Sequence, residues 1–153
     1  MDIKNLKDNQ QFLATVNSWL YEQWGHHDKD HDKQDWLADK KEELNNDQLL
    51  PIRLVAIEEG KPVGTASIVK HDMKTHTELE PWMADVYVIE EKREQGIGSK
   101  LVKEIIEVAQ QHNFGTLYLF TPDKKTFYEN LKWSPFFNEE YRGENVDIMV
   151  YKL

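Results

Sequence analysis

Two glycines one residue apart stand where a strand pattern gives way to a helix pattern, in Arg93-Glu94-Gln95-Gly96-Ile97-Gly98-Ser99. Such a junction exposes unpaired backbone N–H groups at the positive end of a helix dipole. Glycine lets the backbone approach a ligand closely and take a positive φ. Together these features suit phosphate oxygens. A tight turn with no ligand would use glycine equally well, so the spacing alone leaves both readings open. Leu101 stands where a dinucleotide fingerprint needs its third glycine. Gly98-Ser99-Lys100 has the wrong order for a nucleotide-triphosphate loop. Neither nicotinamide nor triphosphate chemistry is favoured.

Other polar residues invite chemistry too. His26, His27, Asp28, Asp30, His31 and Asp32 include a one-turn histidine pair with zinc-like spacing. The run has no apolar shell around it, so it reads as solvated and no metal is expected. A second polar stretch, residues 71 to 80, holds His71, His76, Glu78 and Glu80.

Among the elements that carry these residues, Met1 to Leu6 alternates like a short strand. Asp8 and Gln11 resemble a capping box for a helix with Phe12, Leu13, Val16, Leu20 and Trp24 on one face. Trp36, Leu37 and Leu44 predict a second helix, closed by Asn45-Asn46. Ile52 to Ile57 and Val63 to Val69 read as a hairpin around Glu59-Gly60-Lys61-Pro62. Pro81 opens the strand WMADVYVI, and Leu101, Val102, Ile105, Ile106 and Ala109 stripe a helix from about Ile97 to His112. TLYLFT is a strand, Asp123 a candidate cap for a short helix through Leu131, and FFNEEY with VDIMVYKL a closing hairpin. The order β-α-α-β-β-β-α-β-α-β-β predicts one α/β domain over residues 1–153 with a mixed, mostly antiparallel sheet flanked by helices.

Arg93-x-x-Gly96-x-Gly98 directly after Val86-Tyr87-Val88 resembles the acetyl-CoA signature of the GNAT superfamily of N-acetyltransferases. Phe127-Tyr128-Glu129-Asn130-Leu131-Lys132-Trp133 resembles that family's segment after the fifth strand, and the element order matches the acyl-CoA N-acyltransferase (GNAT) fold along nearly the whole chain. Lys132 stands where the family has glycine, which predicts a differently shaped turn, and Thr121-Pro122-Asp123 replaces a frequent asparagine.

The resemblance implies that Arg93, Glu94, Gln95, Gly96, Ile97, Gly98 and Ser99 hold the coenzyme pyrophosphate. It also implies that Val86, Tyr87 and Val88 pair with the pantetheine arm through their backbone, on a strand that bulges and splays from its neighbour. Acetyl-CoA is then the cosubstrate, and an amine attacks it directly. Tyr128 becomes the donor to the leaving thiolate, and the N–H of Val88 or a neighbour the donor to the oxyanion. Glu80 and Asp85 become candidate bases. Strand alternation would put Asp85 on the face of Met83 and Tyr87, where aromatic neighbours would raise its pKa. Lys92, Arg93, Lys100, Lys124 and Lys125 are candidate phosphate cations, and Trp82 a candidate wall of the acceptor pocket.

Composition bounds the rest. A formal charge of -9 disfavours nucleic acid and favours a cationic, small-molecule amine as acceptor. The absence of cysteine excludes a thiol nucleophile and suits a cytoplasmic location. No apolar run approaches a membrane span, and MDIKNLKDNQ lacks the apolar core of a signal peptide. The alternatives are a protein or peptide N-acetyltransferase and a non-catalytic CoA-binding sensor. The closing hairpin, which often mediates dimers in the family, makes a homodimer an expected arrangement.

Overall fold

In a computed structural model, which describes residues 1–25 and 30–153, seven strands among the described residues form one sheet in the order β1-β2-β3-β4-β5-β7-β6. The strands are β1 Asp2–Asn5, β2 Ile52–Glu58, β3 Lys61–Val69, β4 Trp82–Val88, β5 Thr116–Thr121, β6 Ser134–Tyr141 and β7 Glu144–Lys152. The helices are α1 Leu13–Gln23, α2 Lys33–Leu44, α3 Ile97–Gln111 and α4 Lys125–Asn130. All neighbouring strands run antiparallel except β4 and β5.

The sheet separates two helical layers. Leu54 and Ala56 of β2, Ala66 and Ile68 of β3 and Met83 of β4 pack with Leu101, Val102, Ile105 and Ile106 of α3. On the other face Val55 packs with Leu13, Val16, Leu20 and Leu44 of α1 and α2. A third cluster under the β3–β4 loop joins Met73 and Trp82 to Tyr141, Val146 and Ile148. Among the described residues no helix is long and apolar enough to cross a membrane.

Local chemistry changes three of the predicted boundaries. Asn5 ends β1 by accepting a hydrogen bond from Lys7 N at 2.9 Å, so Leu6 opens a 3-10 turn. A second 3-10 turn covers Gln10–Phe12, and α1 starts at Leu13 without a side-chain cap; the Asp8–Gln11 capping box does not form. Before α4, Asp123 is not the cap. Thr121 Oγ1 accepts from Lys124 N at 3.0 Å instead. Asp32 does cap α2, taking Asp35 N at 2.8 Å. The β6–β7 hairpin turns on Arg142 and Gly143, both with positive φ (52° and 80°), the conformation that matches strand twist.

Candidate active site

β4 is where the sheet is disrupted. Thr65 pairs with Tyr87 and Ser67 with Ala84, so Ala66 faces two residues, Asp85 and Val86. This is a β-bulge, and Asp85 takes its left-handed position at φ 59°. The bulge corrects the expected alternation. Val86 and Val88 pack toward α3, and Met83 lies in the same core. Asp85 instead turns to the opposite face, where Arg53 of β2 holds it.

That contact is the most constrained in the site. Arg53 is fully buried. Its Nε donates to Ser67 Oγ at 2.8 Å and its Nη2 to Asp85 Oδ2 at 3.0 Å, while Nη1 has no partner. Asp85 keeps 18% of its side chain exposed, so the carboxylate reaches the surface of the cleft. Asp72 lies in the loop after β3. Withdrawal from water, and then the charge of Asp85, hold its carboxyl well above the usual carboxylate range, against the weaker pull of Lys40 and Arg142. Neither Arg53 nor Asp72 was flagged as functional by the sequence. An arginine within the apolar run Ile52-Arg53-Leu54-Val55-Ala56-Ile57 was the available signal. For Asp72 there was none, since a loop aspartate ordinarily faces solvent.

Beyond the bulge, β4 parts from β5. The two strands pair at Trp82 and Tyr118, where Tyr118 N donates to Pro81 O at 3.1 Å. No further β4–β5 register pair forms among the described residues, so a gap opens between their C-terminal halves. Ile89 N donates to Val63 O at 3.0 Å, toward β3. Because peptide edges alternate, Val88 presents its N–H and C=O to the gap. The carbonyl is taken there by Arg93 Nε at 2.8 Å. The Arg93 guanidinium lies 5.5 Å from the Tyr87 ring centroid, and Tyr87 in turn lies 5.5 Å from Trp19 of α1.

The glycine turn lies at the end of this gap. Gly96 is the N-terminal cap of α3 with φ 84°, and no side chain caps the helix. Lys100 N bonds to Gly96 O, and the preceding amides at Ile97, Gly98 and Ser99 are those left without an intrahelical acceptor. A Cβ on Gly98 would stand 3.7 Å from Phe127 and 3.9 Å from Val88, so three elements converge on that Cα. Phe127 begins the Phe-Tyr pair of α4. Tyr128 is buried in edge-on contact with Phe127 and Trp133, and its hydroxyl has no hydrogen-bond partner among the described residues. Burial, and then the charge of Asp123, push the phenol up to about 12. Lys132 adopts φ 75°, the left-handed backbone a glycine would take there, so the turn keeps the glycine-like shape despite the side chain.

Several predicted residues go elsewhere. Glu80 is exposed and pairs with His71 at 3.0 Å, ahead of β4 and outside the Arg53–Asp85 contact. Trp82 does not wall a pocket: it is fully buried, and its Nε1 donates to Leu79 O at 2.7 Å. Lys92 is committed to Glu58 at 2.8 Å, which lowers the Glu58 pKa and raises that of Lys92. Lys100, Lys124 and Lys125 are exposed near the turn and α4. His76 bonds Glu139 rather than facing the gap. His26, His27 and Asp28 lie outside the described residues. Among those described, no three His, Asp or Glu side chains form a group able to hold a metal.

A bulged strand that splays from a parallel neighbour, with an uncapped glycine turn at its end, defines an acyltransferase-type α/β domain. The chain belongs to the acetyltransferase (GNAT) family, whose model matches residues 11–133. Its fold is shared with an aminoglycoside 6'-N-acetyltransferase solved with coenzyme A, at TM-score 0.78 and 14% identity, covering 99% of this chain and 97% of that one. An aminoglycoside 6'-N-acetyltransferase from Enterococcus faecium matches at TM-score 0.73 and 15% identity, covering 99% and 97%. A ribosomal-protein-alanine N-acetyltransferase from Brucella melitensis matches at TM-score 0.66 and 19% identity over 100% of both chains. No curated protein sequence matches the chain.

Proposed function

We propose that the protein transfers the acetyl group of acetyl-CoA to a primary amine of a small cationic molecule. One observation carries this reading: β4 parts from β5 beside a glycine turn whose helix-end amides are uncapped, with Phe127 of α4 reaching Gly98. The residues present fit the coenzyme. Gly96 supplies the left-handed turn, Gly98 leaves open the space toward Val88 and Phe127 that a side chain would fill, and Ile97 to Ser99 offer N–H donors. When bound, acetyl-CoA supplies an activated acyl group on a sulfur leaving group.

The chain's own contribution is orientation and charge. The N–H of Val88, directed into the gap by the strand's alternation, is the donor for the developing oxyanion. Arg93 fixes the neighbouring carbonyl of Val88 and ties the turn to the strand. Tyr128 donates a hydrogen bond to the departing sulfur. Its pKa near 12 is about 3.5 units above an ordinary thiol, so full proton transfer would be uphill by about 5 kcal/mol. Stabilisation of the thiolate by a retained O–H is therefore the favoured role. The net charge of -9 supports a cationic acceptor. The aminoglycoside 6'-N-acetyltransferases among the similar structures support a small-molecule acceptor. A cysteine-free composition suits the cytoplasm. The β6–β7 hairpin, with Phe136 half exposed, is the face expected to meet a second copy.

The test is release of free thiol from acetyl-CoA against polyamines, aminoglycosides, amino acids and peptides. Turnover with a small polyamine or aminoglycoside supports the proposal. Turnover restricted to peptides makes the protein a peptide N-acetyltransferase. Coenzyme binding without thiol release from any amine makes it a sensor domain.

A further inference from the structure

β4 is the middle strand of the sheet, and it meets α3 on one face and α1 on the other. A strand so placed is expected to be dry along its length. Trp82 to Ala84 are buried, but every residue from Asp85 to Val88 keeps partial exposure. The strand's C-terminal half is therefore open on both faces. Val86 and Val88 share a core with α3 and Tyr128, on the side of the uncapped turn. Tyr87 belongs to the other side, where it meets Trp19 of α1 with ring centroids 5.5 Å apart and planes at 36°. A coenzyme held by the turn occupies the α3 side. An acceptor then reaches Val88, the residue after Tyr87, from the α1 side.

What meets an acceptor there is aromatic. The carboxylate that β4 places on this side, Asp85, has its charge met by the fully buried Arg53 at 3.0 Å. Trp19 and Tyr87 are both partly exposed. Ring faces of this chain already take cations: Arg93 lies 5.5 Å from the Tyr87 centroid, Lys33 5.3 Å from Tyr21 and Lys40 5.2 Å from Trp36. Among the described residues no lysine or arginine lies over Trp19. Indole is the ring that attracts a cation most strongly. Its place is set by the core, because Val16 and Leu20 on either side of it in α1 are buried against Val55 of β2.

We propose that Trp19, backed by Tyr87, is the specificity-determining surface of the acceptor site, holding a cationic group of the acceptor against the indole face by a cation–π contact. This rests on the acetyltransferase reading and deepens it: an aromatic face, rather than a carboxylate, selects the acceptor as a cation. The net charge of -9 draws cations to the molecule, and the ring gives them a place beside Val88.

The test uses choline and 3,3-dimethylbutan-1-ol as inhibitors of thiol release from acetyl-CoA with the best amine of the panel. The two share a shape and differ in charge. Choline has no N–H, so its cation cannot hydrogen-bond a carboxylate. In the unaltered protein choline is expected to compete with the amine and to bind about 5- to 30-fold more tightly than the alcohol, the span of a desolvated cation–π contact. At about 1 M salt, where charges more than about 3 Å apart are screened, the preference is expected to persist. Trp19→Leu keeps an apolar side chain and removes the ring. It is expected to bring the two inhibitors within about twofold of each other and to raise KM for the amine about 5- to 30-fold, with KM for acetyl-CoA unmoved. If the leucine variant does not fold, Trp19→Phe decides: its weaker ring is expected to keep a smaller preference, and an unchanged one overturns the proposal. Equal inhibition of the unaltered protein by the two compounds also overturns it, as does a preference for choline that Trp19→Leu leaves intact or that salt abolishes. Turnover of any amine keeps the acetyltransferase reading in each of these cases. Failure with every amine removes that reading and this proposal with it.

Discussion

Replacing Tyr128 by phenylalanine removes one oxygen from a buried side chain of α4 and leaves the ring in place. The ring packs edge-on against Phe127 and Trp133, at centroid distances of 5.0 and 6.2 Å, so the fold should keep its packing. The hydroxyl has no hydrogen bond among the described residues to lose. What disappears is a donor to the sulfur as it gains negative charge. A hydrogen bond to a charged group contributes about 1.5–3 kcal/mol, which corresponds to about a 10- to 150-fold fall in kcat. The thioester sulfur is a weak acceptor before the reaction, so KM for acetyl-CoA should change little. The assay is thiol release under saturating acceptor from pH 6 to pH 9. Because the phenol titrates near 12, the fall should be the same across that range. Equal kcat for the two proteins, or a loss that varies with an alkaline limb inside this window, would refute the assigned role.

Other outcomes follow from the same geometry. Keeping the Tyr128 phenol neutral contributes stability that is intact below about pH 10 and lost as pH rises toward 12, of order 2–3 kcal/mol by denaturant titration. Arg53→Met strands the Asp85 charge and should cost about 3–5 kcal/mol in urea melts; the Arg53→Met/Asp85→Asn double variant should fall short of the summed single losses by at least about 1 kcal/mol, and additivity would show that the pair is not coupled. Gly96→Ala forces alanine to φ 84° in open space, so it should lower the melting temperature by about 2–4 °C and weaken coenzyme binding. Gly98→Ala, meeting ordinary contacts at 3.7 and 3.9 Å, should melt like the parent. Lys132→Gly relieves a left-handed lysine and should stabilise by about 0.5–1 kcal/mol; a lower melting temperature would contradict the strain.

Periodicity and turn chemistry made most of the fold legible before any coordinates. Leu101, Val102, Ile105, Ile106 and Ala109 can bury together only on one face of a helix, and α3 buries them. The strand-to-helix junction at Gly96 was readable because positive φ and missing side chains leave a mark in residue type. The β4 bulge was not. Asp85 carries no label that says it will turn against alternation; that direction depends on Ala66 facing two residues and on Arg53 waiting across the sheet. Glu80, just before the strand, and Asp85, on it, looked equivalent as candidate bases, yet packing sends one to His71 at the surface and the other to a buried guanidinium. Trp82 looked like a pocket wall from its place after Pro81, but its indole N–H finds Leu79 O and the ring is enclosed. Asp72 was one acid among many in a polar loop, and its proton affinity exists only because the fold withdraws it from water and sets it against Asp85. Local rules determine which segments become helices, strands and turns, because those rules act within a few residues. Which charges meet, and which lose their water, is decided by residues tens of positions apart, and so belongs to the tertiary structure alone.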